Sequence, residues 1–446
     1  MIKRNSMQSL LIAVFVLNGI GEAMAEYKRV CYYTNRAQHR PNSFKYFPEN
    51  IDPFICTHII YSFGKVSGLM IKPYERNDES TSWSKGMFER TMAAKKTNPD
   101  LKILIAIGGW THGSGPFTAV VDNENDIDTF ARHSIDFLRK HNFDGLDLDL
   151  EYPRKRRGPP EDKHRFTKFV NILRMKFENE AQSTGRERLL LTAAVASGKG
   201  TIDSAYEISK IAADLDFINL MAYDLRGSWE KKTGRNSPLY PRNDETGDER
   251  TLNQDMAAKY LIAQGTPKEK LILGIGICSS GMKTAWNDEH QVLYAYSRDQ
   301  RVGYDNVQSV KIKAKYIKEK GLGGAMFWAL DLNDFKGDAC NEDVYPLISA
   351  VKNELTTKDS PTPIRGVRPQ HTTVSPKKSP RPTTTTSRKT RTVKYGMNGK
   401  MPCKHGAFYT DTCDKNVFYR CVWGRPVKKH CGRGLVWNPR GFCDYA

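Results

Sequence analysis

Short apolar runs alternate with amphipathic stretches from residue 29 to about residue 355. The apolar runs are RVCYYT, HIIYSFGKV, KILIAIGGW, FDGLDLDLEYP, LLLTAAVA, FINLMAYD, LILGIG and GAMFWALD. Helical periodicity lies between them, as at 125–141, 162–183 and 307–320. This alternation is typical of parallel βα units. Eight units predict an α/β fold, a closed (β/α)8 TIM barrel over residues 26–355.

The fourth apolar run carries the chemistry. It alternates Asp147, Asp149 and Glu151 with leucines, so the three acids share one face of a strand and the leucines share the other. Close carboxylates repel, and partial closure from water favours the neutral form, so at least one should keep its proton near neutral pH and act as a general acid. A divalent-metal cluster and a solvated edge strand are the alternatives, but neither explains the apolar alternate face.

Other candidate residues fall at the ends of predicted strands. In (β/α)8 barrels the active groups gather at the C-terminal ends of the strands. Glu151, Tyr223, Asp224 and Trp328 all take this place in the predicted register. The sequence therefore predicts one site at that end of the barrel.

The first 25 residues predict a signal peptide. Lys3 and Arg4 precede the apolar run LLIAVFVL, and Ala23-Met24-Ala25 precedes a cleavage site before Glu26. The alternative is an uncleaved anchor, but the run is short for a bilayer span. We expect a secreted, extracellular protein with no membrane attachment after cleavage.

The composition changes after the barrel. Residues 356–398 are rich in Ser, Thr, Pro, Lys and Arg and predict a disordered linker. Residues 399–446 hold five of the nine cysteines and many aromatics, which predicts a small disulfide-stapled module whose rings can stack on sugars. A zinc module using His405 and His430 is the alternative, but secretion argues against it. We expect no metal and no cofactor.

The formal charge of +19 comes mostly from the linker and the tail. The barrel region is only mildly basic. Without a helical basic patch that could read bases, nucleic acid is not an expected partner.

Several motifs resemble one enzyme family. The strand-four acids, AIGGW at 106–110, MAYD at 221–224 and FWALD at 327–331 are similar to family 18 glycoside hydrolases, the chitinases and chitinase-like proteins. The tail resembles a peritrophin-type chitin-binding module. The resemblance implies a monomeric secreted endochitinase that cleaves β-1,4-linked N-acetylglucosamine polymers with retention, by substrate-assisted catalysis. A chitin-binding protein with little or no turnover is the alternative, and an endoglycosidase acting on protein-linked glycans is a third.

The resemblance also implies roles for single residues. Glu151 would protonate the glycosidic oxygen, Asp149 would orient the substrate acetamide, Asp147 would share a proton, and Tyr223 would hold the acetamide oxygen. The residues expected to line or bind substrate are Asp224, Trp328, Trp110, Tyr33 and, as wall packing, Met221. In the chitin-binding module, the expected sugar contacts are Tyr419, Trp423 and Trp437.

The cysteine pairing and the departures from the family pattern follow from the same resemblance. The implied disulfides are Cys31–Cys56, Cys278–Cys340, Cys403–Cys421 and Cys431–Cys443, which leaves Cys413 without a partner and suggests a truncated module. The insertion after the seventh barrel strand is largely missing, which implies a shallower cleft. Leu150 and Arg36 stand where the family has Trp, so both are expected to thin the aromatic lining.

Overall fold

The computed structural model describes residues 26–156, 158–227, 229, 234–277, 283–297, 300–337 and 344–357, and the backbone of five strands in the tail. The strands before the tail are β1 (Lys28–Thr34), β2 (His58–Val66), β3 (Ile71–Pro73), β4 (Lys102–Gly108), β5 (Gly145–Asp149), β6 (Leu190–Ala196), β7 (Phe217–Met221), β8 (Leu271–Gly276), β9 (Lys283–Asn287), β10 (Val292–Ser297), β11 (Gln300–Tyr304) and β12 (Gly324–Trp328). The helices are α1 (Met87–Met92), α2 (Ala94–Thr97), α3 (Gly115–Val120), α4 (Glu124–Lys140), α5 (Asp162–Thr184), α6 (Lys199–Ala205), α7 (Ile208–Asp214), α8 (Gln254–Ala263), α9 (Val307–Lys320) and α10 (Pro346–Thr356).

Eight of these strands close into a parallel barrel. The order is β1-β12-β8-β7-β6-β5-β4-β2, and β1 also pairs with β2, which closes the ring. Val30 on β1 faces His58 on one side and Met326 on the other. Each of the eight predicted apolar runs supplies one barrel strand, so the predicted (β/α)8 fold is confirmed.

The long helices begin and end where local sequence dictates. Helix α4 starts after Asn123, whose side chain accepts a hydrogen bond from the Asp126 N–H. Helix α9 starts with a reciprocal capping box between Asn306 and Ser309, and it ends at Gly321, whose φ of 65° favours glycine. The predicted helices at 125–141, 162–183 and 307–320 correspond closely to α4, α5 and α9.

Strand alternation produces two cores. On β1, Val30 and Tyr32 face the inside of the barrel, whereas Cys31 and Tyr33 face the surrounding helices. On β5, the leucines belong to the outer core. The aspartates of β5 therefore point inward, as the alternation in the sequence predicted.

The segment after β8 forms a small sheet of its own. Strands β9, β10 and β11 are antiparallel in the order β11-β10-β9, with Leu293 opposite both Trp286 and Tyr304. This sheet occupies the place where the resemblance implies a shortened insertion. Helix α9 follows it directly.

The strands of the tail belong to a unit separate from the barrel. Its described backbone consists of β13 (Phe408–Thr410), β14 (Val417–Val422), β15 (Arg425–His430), β16 (Leu435–Asn438) and β17 (Phe442–Tyr445). Strands β13, β14 and β15 form one antiparallel sheet, and β16 and β17 form another. Tyr419 lies on β14 and Trp437 on β16. Their side chains, Trp423 and the predicted tail disulfides lie outside the described residues.

Cys31 and Cys56 form a disulfide, with their Cα atoms 6.2 Å apart. Cys278, Cys340, the signal-peptide segment and the linker from residue 358 onward lie outside the described residues. Within the described part of the chain, no helix combines the length and the apolar content needed to cross a bilayer.

Candidate active site

A cleft of about 980 Å³ opens at the C-terminal end of the barrel. The residues that line it come from the ends of β1, β2, β4, β5, β7 and β12 and from the segments that follow them. They are Thr34, Asn35, Arg36, Ser62, Phe63, Tyr74, Gly108, Gly109, Trp110, Thr111, His112, Asp149, Glu151, Tyr152, Met221, Tyr223, Asp224, Trp229 and Trp328. Every predicted barrel site residue lines this cleft except Asp147 and Tyr33.

Asp147, Asp149 and Glu151 form an acidic row along β5 and the residues directly after it. Asp147 lies at the bottom of this row and is fully buried. Its carboxylate accepts hydrogen bonds from the Tyr32 hydroxyl at 2.7 Å, the Thr192 hydroxyl at 2.5 Å and the Asn219 amide at 3.3 Å. Burial raises the pKa of Asp147 to about 6, and the three donors oppose that rise. Asp147 therefore changes charge close to neutral pH.

Asp149 and Glu151 share one inward face above Asp147. Burial, and then the charges of Glu151 and Asp147, raise the pKa of Asp149 well above its ordinary value. No hydrogen-bond partner satisfies Asp149 Oδ1, although the atom is buried. A carboxyl with a raised pKa and a free oxygen can hold a proton and turn toward a ligand.

Glu151 is half-buried at the cleft surface. Burial is the main cause that raises the pKa of Glu151, and the negative charge of Asp224 adds to it. The Tyr152 hydroxyl, the charge of Arg156 and the Trp110 backbone act in the opposite direction. The pKa of Glu151 is raised on balance, which is the direction that a general acid requires.

The ends of β7 and β12 complete the floor. Tyr223, Met221 and Trp328 line the cleft together with Asp224. The Asp224 carboxylate accepts a 2.6 Å hydrogen bond from the Asn236 side chain. Trp328 packs against Tyr32, with ring centroids 5.5 Å apart, and against Phe63 at 6.0 Å. Aromatic rings therefore line the cleft beside Asp149 and Glu151.

Two exposed tryptophans form the upper walls. Trp110 is 61% exposed and Trp229 is 68% exposed, and both line the cleft. The Arg156 guanidinium lies 4.3 Å from the centroid of the Trp110 ring. Such faces suit stacking on flat, partly apolar sugar rings. Trp229 was not among the predicted contacts.

The prediction that Tyr33 lines the cleft is wrong. Tyr33 is fully buried in the outer core, where its ring packs against Tyr46 and Tyr61. Its neighbour Tyr32 points inward because adjacent side chains of a strand face opposite sides. The Tyr32 hydroxyl donates a hydrogen bond to the Asp147 carboxylate.

The expectation that Leu150 thins the aromatic lining is also wrong. Leu150 is 5% exposed and belongs to the outer core, on the face opposite the acids. Arg36, in contrast, does line the cleft. Asp144 binds Lys95 Nζ at 2.6 Å and the Ile103 N–H at 2.6 Å before β5 begins, which is a structural role.

The partners of Asp147 were missed from sequence. Tyr32, Thr192 and Asn219 stand within apolar strands as isolated polar groups. Thr192 lies directly opposite Asp147 in the pairing of β5 with β6. A polar residue at an inward position of a strand was the available signal, because buried polar groups need partners.

The tyrosine pair on β1 gives a matched prediction. Tyr32→Phe removes a donor to a buried carboxylate and should lower the free energy of unfolding by about 1–3 kcal/mol near pH 8. Tyr33→Phe removes a hydroxyl that has no partner and should cost much less. Without the Tyr32 donor the pKa of Asp147, already raised by burial, should rise further. The variant should therefore lose more free energy of unfolding than the wild type as the pH rises through this pKa and Asp147 becomes charged.

Urea denaturation at about pH 5 and about pH 8 measures this difference. The Tyr32→Phe deficit should grow between the two conditions, because Asp147 is neutral at the lower pH and charged at the higher one. Equal, pH-independent deficits for the two variants would contradict the assignment of Tyr32 to the acidic row.

Among the residues that the structure describes, no three His, Cys, Asp or Glu side chains are grouped so that they could hold a metal ion. The acidic row is instead satisfied by hydroxyl and amide donors at its lower end. Its upper end faces the cleft.

Known proteins share this sequence and this architecture. The chain matches the glycosyl hydrolases family 18 model over residues 28–333 and the chitin binding Peritrophin-A domain over residues 402–446. Mouse chitotriosidase-1 is 38% identical, covering 93% of this chain and 94% of that protein. An endochitinase of Brugia malayi is 38% identical over 78% of this chain and 76% of that protein.

Solved structures agree. An immunomodulatory active chitinase from Trichuris suis has a TM-score of 0.69 and 32% identity, covering 74% of this chain and 100% of that one. Human YKL-39, described as a pseudo-chitinase with retained chitooligosaccharide binding properties, has a TM-score of 0.69 and 36% identity over 74% of this chain and 100% of that one. With its barrel, its inward acids and its chitin-binding tail domain, this chain belongs to family 18 of the glycosyl hydrolases.

Proposed function

We propose that this chain is a secreted endochitinase that hydrolyses β-1,4 bonds of N-acetylglucosamine polymers with retention of configuration. The observation that carries the proposal is the acidic row, in which Glu151 stands in the open cleft with a raised pKa above two buried aspartates. A binding site alone has no need of a carboxyl whose pKa is raised by burial and by a neighbouring negative charge.

In the proposed first step Glu151 gives its proton to the glycosidic oxygen, and the bond to the leaving sugar breaks. The acetamide carbonyl oxygen of the substrate attacks the anomeric carbon and forms a cyclic oxazolinium ion. In the second step the Glu151 carboxylate takes a proton from water, and the water oxygen opens the ring from the face that the leaving group vacated. Two displacements at one carbon retain its configuration.

Asp149 and Asp147 divide the supporting work in this proposal. Asp149 has an unpartnered oxygen and can turn to accept the acetamide N–H, which orients the nucleophile and stabilises the developing positive charge. The proton that the two aspartates share stays on Asp149 when Asp149 turns. Asp147, fixed by three donors, then carries the negative charge. The two aspartates therefore titrate as a pair.

The cleft walls suit a long neutral polymer. We propose that the Tyr223 hydroxyl binds the acetamide oxygen, that Trp328 supports the sugar in the reacting position, and that Trp110 and Trp229 stack on sugars further along the chain. The cleft is open at the surface, which favours cleavage within a chain over cleavage only at its end.

A chitin-binding protein without useful turnover is the second candidate. The small sheet β9–β11 in place of a larger insertion favours it, because a lower wall excludes less water and weakens electrostatic catalysis. The similarity to human YKL-39 points the same way. The complete acidic row points against it.

New reducing ends decide between the two candidates. The full chain is incubated with a soluble N-acetylglucosamine hexamer, and reducing ends and the anomer of the first product are followed by NMR. The proposed function predicts new reducing ends with the β anomer formed first. Saturable binding of the hexamer without new reducing ends would support the second candidate, and an initial α anomer would exclude the retaining mechanism.

The proposal extends to the rest of the chain. We propose that residues 1–25 are a signal peptide, that 356–398 are a linker, and that the tail domain from residue 399 holds the enzyme on insoluble chitin. The tail match from residue 402 supports this arrangement. In it the protein acts outside the cell as a monomer, and its partner is chitin or its oligomers.

A further inference from the structure

Asp224 stands in the cleft in an unusual conformation. Its φ is 51°, in the left-handed region that costs a non-glycine residue free energy, although Asp tolerates it better than most residues. Contacts with the rest of the protein must offset this cost. One of them is made by Asn236, whose side-chain amide donates to Asp224 Oδ1 at 2.6 Å.

Asn236 holds this part of the chain twice. Besides the side-chain bond to Asp224, its carbonyl accepts a hydrogen bond from the Leu225 N–H at 2.9 Å. Residues 224 and 225 are thereby held against residue 236, although Leu225 and Asn236 are eleven positions apart in the sequence. The backbone of Gly303 lies close to Asn236. A Cβ at position 303 would lie 2.7 Å from the Asn236 backbone nitrogen, so this approach requires glycine.

The residue after Asn236 is bound to a buried ion pair. Ser237 follows Asn236, and its hydroxyl donates to Asp305 at 2.9 Å. Lys313, on α9, donates to the Ser237 carbonyl at 2.9 Å and to Asp305 at 2.6 Å. The side chains of Lys313 and Asp305 are both 0% exposed. Breaking such a pair is costly, so it fixes the Ser237 backbone firmly.

We propose that Asn236 is a positioning residue that fixes the Asp224 carboxylate beside Glu151 and so controls the pH range over which Glu151 can act as the acid. The inference rests on the proposed function and names a regulator of the same site. Asn236 itself lies outside the set of residues that line the cleft.

The electrostatics give the direction of the effect. The negative charge of Asp224 raises the pKa of Glu151, so losing its fixed position should lower that pKa. The other groups that interact with Glu151 come from β5, from the segments after β4, β5 and β7, and from the segment between α6 and α7. They are Asp149, Tyr152, Arg156, Tyr206, Tyr223 and the Trp110 backbone. None of these contacts involves Asn236, so they should stay unchanged when Asn236 is replaced.

The experiment replaces Asn236 in the full chain and follows the pH dependence of kcat/KM on a soluble N-acetylglucosamine hexamer. Asn236→Ala should move the alkaline limb to lower pH by about half a pH unit or more, measured at a temperature at which the variant is folded. Asn243→Ala is the matched control, because Asn243 donates to the carboxylate of Glu289, which does not line the cleft. That control should keep the wild-type profile.

A double variant separates positioning from simple loosening. In an Asp224→Asn background the charge is already absent, so adding Asn236→Ala should move the limb no further. An additional shift there, or a wild-type limb in Asn236→Ala, overturns the inference. If Asn236→Ala does not fold, Asn236→Ser keeps a shorter donor and should shift the limb in the same direction.

Hexamer binding across the same pH range gives a second readout that does not need turnover. If the wild type binds without releasing reducing ends, the proposed function fails. The inference then predicts that the pH at which hexamer affinity changes on the alkaline side is lower in Asn236→Ala than in the wild type and is unchanged in Asn243→Ala. The same pH in Asn236→Ala and the wild type would overturn it.

Discussion

Replacing Glu151 by Gln should lower turnover of a soluble N-acetylglucosamine hexamer by about 10²–10⁴-fold, the range typical of a lost general acid. Gln has nearly the same shape but has no proton to give to the leaving oxygen. It also cannot activate the water in the second step. Because the aromatic walls are untouched, hexamer affinity should change little, so the loss should appear in kcat rather than in KM.

Glu207→Gln is a suitable control for this variant. Glu207 lies outside the cleft, and Lys210 lowers the pKa of Glu207 to about 2, so it is a charged surface group. Its replacement should leave turnover at the wild-type level. Equal rates for the wild type and the Glu151→Gln variant would remove Glu151 from the mechanism and leave the binding-protein alternative.

The second large effect should come from ending the chain after Thr357. The barrel unit has its own core and its own cleft, so the shortened chain should cleave the soluble hexamer at the wild-type rate. On insoluble chitin the tail domain would be missing, and with it the high local concentration of a tethered second site. Tethering of this kind contributes about 10²–10⁴-fold to overall affinity.

Sedimentation of the two chains with chitin particles measures retention, and reducing-end release from hexamer and particles measures cleavage. We expect retention to fall steeply and hexamer cleavage to stay constant. An equal loss of cleavage on the hexamer and on the particles would mean that the tail supports the barrel itself. That result would contradict the proposal that the tail only holds the enzyme on insoluble chitin.

The barrel could be predicted from sequence because its strands are buried on both sides. Such strands are continuous apolar runs, and the amphipathic stretches between them leave few other folds open. The small sheet β9–β11 could not be predicted in the same way. Its strands lie outside the barrel, and their pairing is set by turns rather than by a strong apolar pattern.

The acidic row was predictable for the same reason that Tyr33 was not. On β5 the leucines identify the outer face, so the acids must point inward. On β1 the adjacent tyrosines Tyr32 and Tyr33 are both apolar enough for either face. Only the register with β2 and β12 shows that Tyr32 meets Asp147.

The residues that hold the acidic side chains in place, without lining the cleft themselves, were the hardest to predict from sequence. Asn219 and Thr192 come from strands adjacent to each other in the barrel but far from Asp147 in sequence. Asn236 contacts Asp224, while Lys313 and Asp305 bind Ser237 beside it. Such contacts depend on tertiary geometry, which local patterns do not encode.

The most direct measurement of the central claim is the pH dependence of kcat/KM for the wild-type chain on the soluble hexamer. Glu151 must carry its proton at the start of the reaction, and its pKa is raised above the ordinary value for a glutamate, mainly by burial. Activity should therefore persist above that ordinary value and then fall on the alkaline side as the proton is lost. A rate that stays constant on the alkaline side would contradict the account, because no protonated acid would then be needed.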